Sequence, residues 1–324
     1  MSILVSINCI TFNQEHYIVD AIESFLMQKT NFIYEILIGE DCSTDSTKEI
    51  VEKYVIKFPK KIRLITSETN VGGRQNSIRL QRESKGKYIA LCEGDDYWID
   101  PYKLQKQVDY MEANPECTLC FHASEIIQAP NKRTGRFVKP YNMSKVSPTE
   151  DIIVGGGGFC DTATLLYPKI LMENPPDFYL NAPVGDYPMQ MFLASQGYAY
   201  YIDECMSAYR RDVEGSWSSR MNEVATIKEN SIKVNEGILH LLDEFNKYTN
   251  EEYNNEIEKI KRKLVFELHV LKGRKSYEKT LAGELDWSFK MKIRTKILIK
   301  CHFPNHYKKI VGFKDTKIIK MLMV

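Results

Sequence analysis

Ile3-Leu4-Val5-Ser6-Ile7-Asn8-Cys9-Ile10 is apolar almost throughout, and this near-continuity limits what the chain can become more than any composition figure does. A strand with one wet face alternates polar and apolar residues, whereas an unbroken run belongs inside a sheet covered on both faces, the setting of parallel α/β sheets. Thr11-Phe12-Asn13 ends the run, and Ile18, Ala21, Ile22, Phe25 and Leu26 then fall at helical spacing between Glu15 and Gln28. The unit repeats. Tyr34 to Gly39 reads as a strand, Glu40-Asp41-Cys42-Ser43-Thr44-Asp45 as a polar loop and Ser46 to Lys57 as an amphipathic helix. Ile62 to Ile65 follows as a third strand, leading through Asn70-Val71-Gly72-Gly73-Arg74 into a short helix ending about Glu83. Strands alternating with helices at this spacing imply a doubly wound parallel sheet with right-handed crossovers and the polar loops gathered at one edge.

The fourth strand ends in chemistry. Tyr88-Ile89-Ala90-Leu91-Cys92 runs into Glu93-Gly94-Asp95-Asp96, three carboxylates within four residues. Taken alone, this would be a solvated turn before the helix that Asp100-Pro101 starts. At the carboxyl edge of a parallel sheet, where ligands collect, so many like charges call for a cation, and oxygen donors suit a hard divalent ion carrying phosphate. The other loops of that edge would bring Thr11, Phe12, Asn13, Asp41 and Arg74 to the same crevice. An aromatic ring, a carboxylate able to pair with a base, a cation and a metal site together describe a site for a nucleoside diphosphate.

Further along, Pro101 to Ala113 reads as a helix and Thr118 to His122 as a strand, with His122 a satisfied structural residue. Residues 128–150 have no clear period and read as a loop on the acceptor side. Gly155-Gly156-Gly157-Gly158 cannot stabilise a helix or strand by itself, and it stands directly before a predicted strand, Phe159 to Tyr167, so we expect a site loop. Asp186 lies in the first turn of the helix beginning at Gly185, where the helix dipole would favour it in any case. Tyr201 to Arg210 reads as the last strand pair, and Arg220 to Arg274 as two helices joined near Asn250.

Thr11-Phe12-Asn13, Glu40 to Asp45, Asn70-Val71-Gly72-Gly73, Glu93-Gly94-Asp95-Asp96, Gly185-Asp186-Tyr187-Pro188 and Tyr209-Arg210 together resemble the ordered motifs of family 2 glycosyltransferases, whose fold is called GT-A. The resemblance covers about the first 218 residues, a GT-A domain over 1–218; beyond it, helical spacing and the charge balance divide the rest into a helical extension over 219–275 and a basic amphipathic tail over 276–324. The resemblance implies an inverting, metal-dependent transfer of a sugar from a nucleotide donor, usually UDP-linked, to a hydroxyl of a glycan or lipid-linked acceptor in cell-surface polysaccharide synthesis. In that scheme Asp186 is the catalytic base, and Thr11, Phe12, Asn13, Asp41, Arg74 and Asp95 bind nucleotide. Asp96 and Asp95, with Glu93 and Asp212 as further candidates, hold Mn or Mg, while Arg210 and Trp217 belong to a segment that closes over the donor. The chain departs from the family pattern at Asp212, where relatives often carry a histidine that reaches the metal or diphosphate.

Two other functions share parts of this signature. A sugar nucleotidyltransferase would need a glycine-rich, basic loop after the first strand, and Thr11-Phe12-Asn13-Gln14-Glu15 supplies none. A catalytically silent sugar-nucleotide-binding partner in a polysaccharide assembly would have no need of Asp95, Asp96 and Asp186 together. No apolar run reaches the length of a membrane span, and the N-terminus lacks a signal-peptide pattern, so a cytoplasmic protein is expected. The eight cysteines are scattered apart from Cys117-x-x-Cys120, too few ligands for a closed zinc site, and are expected to be reduced thiols. The net charge of +1 argues against nucleic acid as a partner but conceals a C-terminal segment, Ser288 to Val324, carrying ten Lys or Arg against one acid. Interleaved with apolar side chains, it reads as a segment lying on an anionic membrane, which would put the protein peripherally on the inner face of the cell membrane.

Overall fold

The structure, a computed structural model, describes residues 2–221, 223, 225–273 and 286–302. The chain divides into two compact units, Met1–Leu180 with Gly185–Val213, and Asn181–Val184 with Glu214–Val324.

In the first unit the expected alternation is present: β1 (Ile3–Thr11), α1 (Ile18–Leu26), β2 (Ile33–Glu40), α2 (Thr47–Lys57), β3 (Ile62–Thr66), α3 (Gly73–Glu83) and β4 (Tyr88–Leu91). β1 lies between β2 and β4, parallel to both, and β3 adds parallel to β2. Since the chain leaves β1 toward β2 on one side and returns as β4 on the other, the loops after β1 and β4 flank the switch point of the sheet, where a crevice opens. Val5, Ile7 and Cys9 of β1 are fully buried, as the unbroken apolar run requires, and Ile18, Ala21, Ile22 and Phe25 of α1 pack over them.

Beyond β4 the sheet becomes mixed. β5 (Tyr97–Trp98), α4 (Lys103–Ala113), β6 (Cys117–Gln128), β7 (Lys132–Val138), β8 (Lys145–Ser147), α5 (Thr149–Gly155), β9 (Leu166–Pro168), α6 (Asp177–Leu180), α7 (Asp186–Ser195) and β10 (Tyr198–Arg211) complete the unit, with strand order β3-β2-β1-β4-β9-β6-β10-β5. β9 is antiparallel to β4 and β6, while β10 runs parallel to β6.

Four expectations are corrected here. The segment 128–150 is no plain loop: β7 pairs antiparallel with β6 and β8 with β10. Its composition hid this because β7 is recruited by the open hydrogen-bonding edge of β6 more than by an apolar face of its own. The strand expected over Phe159 to Tyr167 is reduced to Leu166–Pro168, because Thr162–Thr164 turns as a 3-10 helix whose carbonyl at Ala163 accepts the Trp98 indole N–H at 2.8 Å. The last strand pair is one strand, β10, which absorbs Asp203-Glu204 in bulges between Ile202 and Ser207. The glycine run takes part in helices after all: Gly155 ends α5, Gly156 terminates it at φ 67° and ψ −169°, a conformation open essentially to glycine, and Gly156–Gly158 form a 3-10 turn.

The second unit contains α8 (Trp217–Met221), α9 (Ile227–Tyr248), α10 (Asn254–Leu271) and α11 (Trp287–His302). α9 and α10 are the two helices expected to meet near Asn250. Ile293 and Ile297 of α11 pack with Phe266 and Leu271 of α10, so the start of the basic segment is a helix with a buried face. Among the described residues no helix is long and apolar enough to cross a membrane. The remainder of the basic segment, 303–324, lies outside the described residues.

Candidate active site

The loops after β1, β2 and β4 are stitched together by their own polar groups. Asp41 N–H donates to the Thr11 carbonyl at 3.1 Å, and the Asn13 side-chain oxygen accepts from Thr44 N–H at 2.8 Å. Thr11 is buried, its hydroxyl donating to Gln14 Oε1 at 2.8 Å, and Phe12 is half-buried beside it. Gly94 N–H donates to Ile10 O at 3.0 Å. A Cβ on Gly94 would stand 2.4 Å from Gln14 Oε1 and 2.8 Å from Thr11 Oγ1, so only glycine lets the acidic loop lie this close to the first loop.

Asp41 is buried and already organises the loop beyond β3. Its Oδ1 accepts from Ser67 Oγ at 3.0 Å and Val71 N at 2.9 Å, and its Oδ2 from Gly72 N at 2.8 Å. A carboxylate offers about four acceptor positions, so a further donor can still be received. Arg74, expected to bind the nucleotide, points to α6, where its guanidinium donates to the Tyr179 carbonyl and lies 5.2 Å from the Tyr179 ring centre.

At the end of β4 the acids crowd. Burial raises the Asp96 carboxyl pKa well above the usual carboxylate range, and the charges of Asp95 and Glu93 raise it further. Glu93 is pushed up to about 8 by burial and then by Asp95, Asp186 and Asp161. Burial also raises Asp95, against the pull of its own N–H, Arg210 and Gln14. Glu93 thus lies within the field of both the Asp95–Asp96 pair and a second pair of acids, Asp161 and Asp186.

Asp186 opens α7, and its Oδ1 accepts from Tyr187 N–H at 2.8 Å; burial outweighs this bond and raises the carboxyl. α7 is held by Tyr187, whose hydroxyl donates to Ile153 O of α5 at 2.7 Å, and by Gln190, which donates to Cys160 O at 3.0 Å. The glycine turn runs against the acid: a Cβ on Gly157 would come within 3.0 Å of Asp186 Oδ2. That supports a site role for the turn.

Sequence reasoning missed Asp161. Burial lifts its carboxyl to about 6, the Ser124 hydroxyl that donates to it and the Arg211 charge pull down, and Asp186 pushes up. Its signal in the chain was its place three residues past the four glycines. Arg210, expected in a closing segment, is instead the last residue but one of β10, its side chain buried inside the first unit. Asp212 follows at φ 61°, and Trp217, half exposed, begins α8 in the second unit.

Asp95 and Asp96, expected to hold the metal with Glu93 and Asp212 as further candidates, do not form a ready-made metal centre. Among the described residues no three His, Cys, Asp or Glu side chains converge at ligating distance, and Asp96 Oδ1 is occupied by Arg210 N–H at 2.7 Å. Crowded acids with raised pKa values nevertheless suit a divalent ion held by one or two carboxylates and otherwise by substrate phosphate and water. The residues present fit that arrangement through the remaining oxygens of Asp95 and Asp96.

Residues 6–164 match the model of the family described as glycosyl transferase family 2. The chain carries a family 2 glycosyltransferase domain. This domain's fold is GT-A: the chain superposes on the crystal structure of Staphylococcus aureus TarS 1–349 in complex with UDP-GlcNAc with a TM-score of 0.57 at 14% identity, covering 99% of this chain and 89% of that one. An uncharacterised protein of Mycobacterium tuberculosis is 34% identical over 215 residues, 66% of this chain and 61% of its own length. The putative teichuronic acid biosynthesis glycosyltransferase TuaG of Bacillus subtilis is 25% identical over 209 residues, 64% of this chain and 79% of TuaG. The chain therefore spans about 61% of the length of the first of these curated relatives, and the family 2 match over residues 6–164 includes the acidic loop.

Proposed function

We propose that the chain transfers a sugar from a UDP-linked donor to a hydroxyl of a glycan or lipid-linked acceptor, with inversion at the anomeric carbon. The observation that carries this reading is the crowding of Glu93, Asp95 and Asp96 beside a second acidic pair, Asp161 and Asp186, with Asp41 buried at the neighbouring loop. Asp41 accepts the uracil N3–H, Phe12 faces the base, and Thr11 and Asn13 hold the loop on which it rests. Asp95 and Asp96 hold Mn or Mg, which when bound supplies Lewis-acid stabilisation to the departing nucleoside diphosphate.

Asp186 takes the acceptor proton as the hydroxyl attacks from the face opposite the leaving group. Its burial helps, because a raised carboxyl pKa makes a better base, and Asp161 nearby adds negative charge that favours the proton's arrival. Inversion follows from a single displacement. The name of TuaG supports an acceptor in cell-surface polysaccharide synthesis, and the crystallised TarS complex supports a UDP-sugar as donor. The basic, apolar segment Ser288 to Val324 is read as a contact with an anionic membrane, which would hold the enzyme on the inner face beside a lipid-linked acceptor.

The test is release of UDP from a panel of UDP-sugars by the full chain, with MnCl2 or MgCl2 and then with EDTA. Cation-dependent release from at least one donor is expected. No release from any donor, together with no binding of UDP, overturns the reading.

A further inference from the structure

Arg210 is a charged side chain with no exposure to solvent, set directly behind the acidic loop. Its guanidinium reaches three separate elements. Nη1 donates to the Asp95 carbonyl at 2.7 Å. Nε donates to Pro130 O at 2.9 Å and to Asn131 Oδ1 at 3.3 Å, and Nη2 donates to the same Asn131 oxygen at 2.7 Å. Nη2 also pairs with the Asp20 carboxylate on α1. The guanidinium carbon lies 4.6 Å from the centre of the Tyr97 ring and 5.1 Å from that of Tyr17. The backbone N–H of the same residue donates to Asp96 Oδ1 at 2.7 Å.

One residue thus grips the acidic loop twice, at the Asp95 carbonyl and at the Asp96 carboxylate. The loop needs such a grip, because Asp95 and Asp96, both buried, and the adjacent Glu93 repel one another when ionised and would splay a free loop. Its other main-chain ties are Gly94 N–H to Ile10 O and Asp96 N–H to Glu93 O, both 3.0 Å, and neither carries a charge to offset that repulsion. The planar fork of arginine suits this role, and lysine, with one ammonium, could serve one arm at a time. Direct contact with a diphosphate is excluded by the burial of the side chain and by the partners already holding each of its nitrogens.

We propose that Arg210 is a positioning residue: it fixes the acidic loop against α1 and the 130–131 turn, and so sets the carboxylates in the geometry that receives the cation and the donor diphosphate. This rests on the reading of the site given above. Substitution should therefore weaken capture of the nucleotide and leave the chemical step largely intact once donor is bound.

The experiment uses the full chain, titrating UDP in MnCl2 by calorimetry alongside thermal melting and steady-state turnover of UDP-GlcNAc. Arg210→Gln is expected to melt cooperatively and to raise the UDP Kd and donor KM by about tenfold or more, with kcat lowered less than about threefold. Arg210→Lys is expected to recover part of the lost affinity. Should neither variant fold, Asp20→Asn and Asn131→Ala each remove one outer arm and are expected to weaken UDP binding about threefold. The proposal is overturned if folded Arg210 variants bind UDP within about twofold of wild type, or if the outer-arm variants do so when the Arg210 variants fail to fold. It is also overturned if kcat falls while the Kd stays unchanged. A wild-type chain that does not bind UDP overturns the donor reading itself, and this inference falls with it; binding by wild type and variants alike overturns this inference alone.

Discussion

Single residues at this site differ in how they meet the chemistry. Asp186 faces the glycine turn and is held in place by its own helix, so Asp186→Asn should leave UDP binding intact and lower turnover by about 10² to 10⁴. Single-turnover transfer at saturating donor measures this, and a rate near wild type would remove Asp186 from the role of base. Glu93 yields a pH prediction. Its folded pKa, about 8, lies above the ordinary value of 4.5, so the folded chain binds more protons there than the unfolded one. The contribution to stability is then fully present below about 4.5 and is lost as pH rises through 8. Metal-free protein should melt lower at pH 8 than at pH 5.5, and added MnCl2 should raise the melting temperature more at the higher pH, because a cation favours the ionised acids. A melting temperature that climbs over this range without metal would contradict the assignment.

At the scale of the element, two glycines separate packing from function. Gly94 sits where a Cβ would meet Gln14, Thr11 and Ile18 within 3.0 Å, so Gly94→Ala should cost about 1–3 kcal/mol of stability through forced displacement of the two loops. Urea denaturation reads this directly. Gly157 has one neighbour to displace, the Asp186 carboxylate, so Gly157→Ala should melt close to wild type and lose about tenfold in turnover through a misplaced base. Equal loss of stability in both variants would show that the glycine turn only supports packing. These two turns were partly legible in the sequence: the acids and the glycines stood out, but their approach to Thr11 and to Asp186 joins segments far apart in the chain. The same is true of β7 and β8, whose strands are made by the edges of β6 and β10 and not by a pattern of their own.

For the whole molecule, the two units call for separate tests. The first unit ends at Val213, five residues before the boundary at 218 that the motifs suggested, and also gives up Asn181–Val184 to the second. In the second unit Ile293 and Ile297 bury one face of α11, so a chain ending at Asp286 removes a packed helix along with the basic charges. A chain ending at His302 keeps that helix and removes Lys308, Lys309, Lys314, Lys317 and Lys320. On liposomes with anionic lipid at low salt, the full chain should float and the chain ending at His302 should float markedly less, since each basic residue near such a surface contributes roughly 1 kcal/mol. Equal flotation of the two would show that the distal basic residues do not hold the protein on a membrane.

By itself the sequence determined the local elements and the kind of chemistry. The unbroken apolar run at Ile3 to Ile10 demands a covered central strand, helical spacing from Ile18 to Leu26 demands a covering helix, and three acids after Tyr88 to Cys92 mark the polar site at the sheet edge. Each of these follows from neighbours within a few residues, which is the range over which periodicity and charge density act. The tertiary structure alone decided that Asp161 joins Asp186 and Glu93, and that Arg210 turns inward to hold Asp95 and Asp96. It also decided that Arg74 turns away to Tyr179. Which groups share a low-dielectric crevice depends on strand order and register, so partners 105 to 190 positions apart cannot be paired from the composition of either segment.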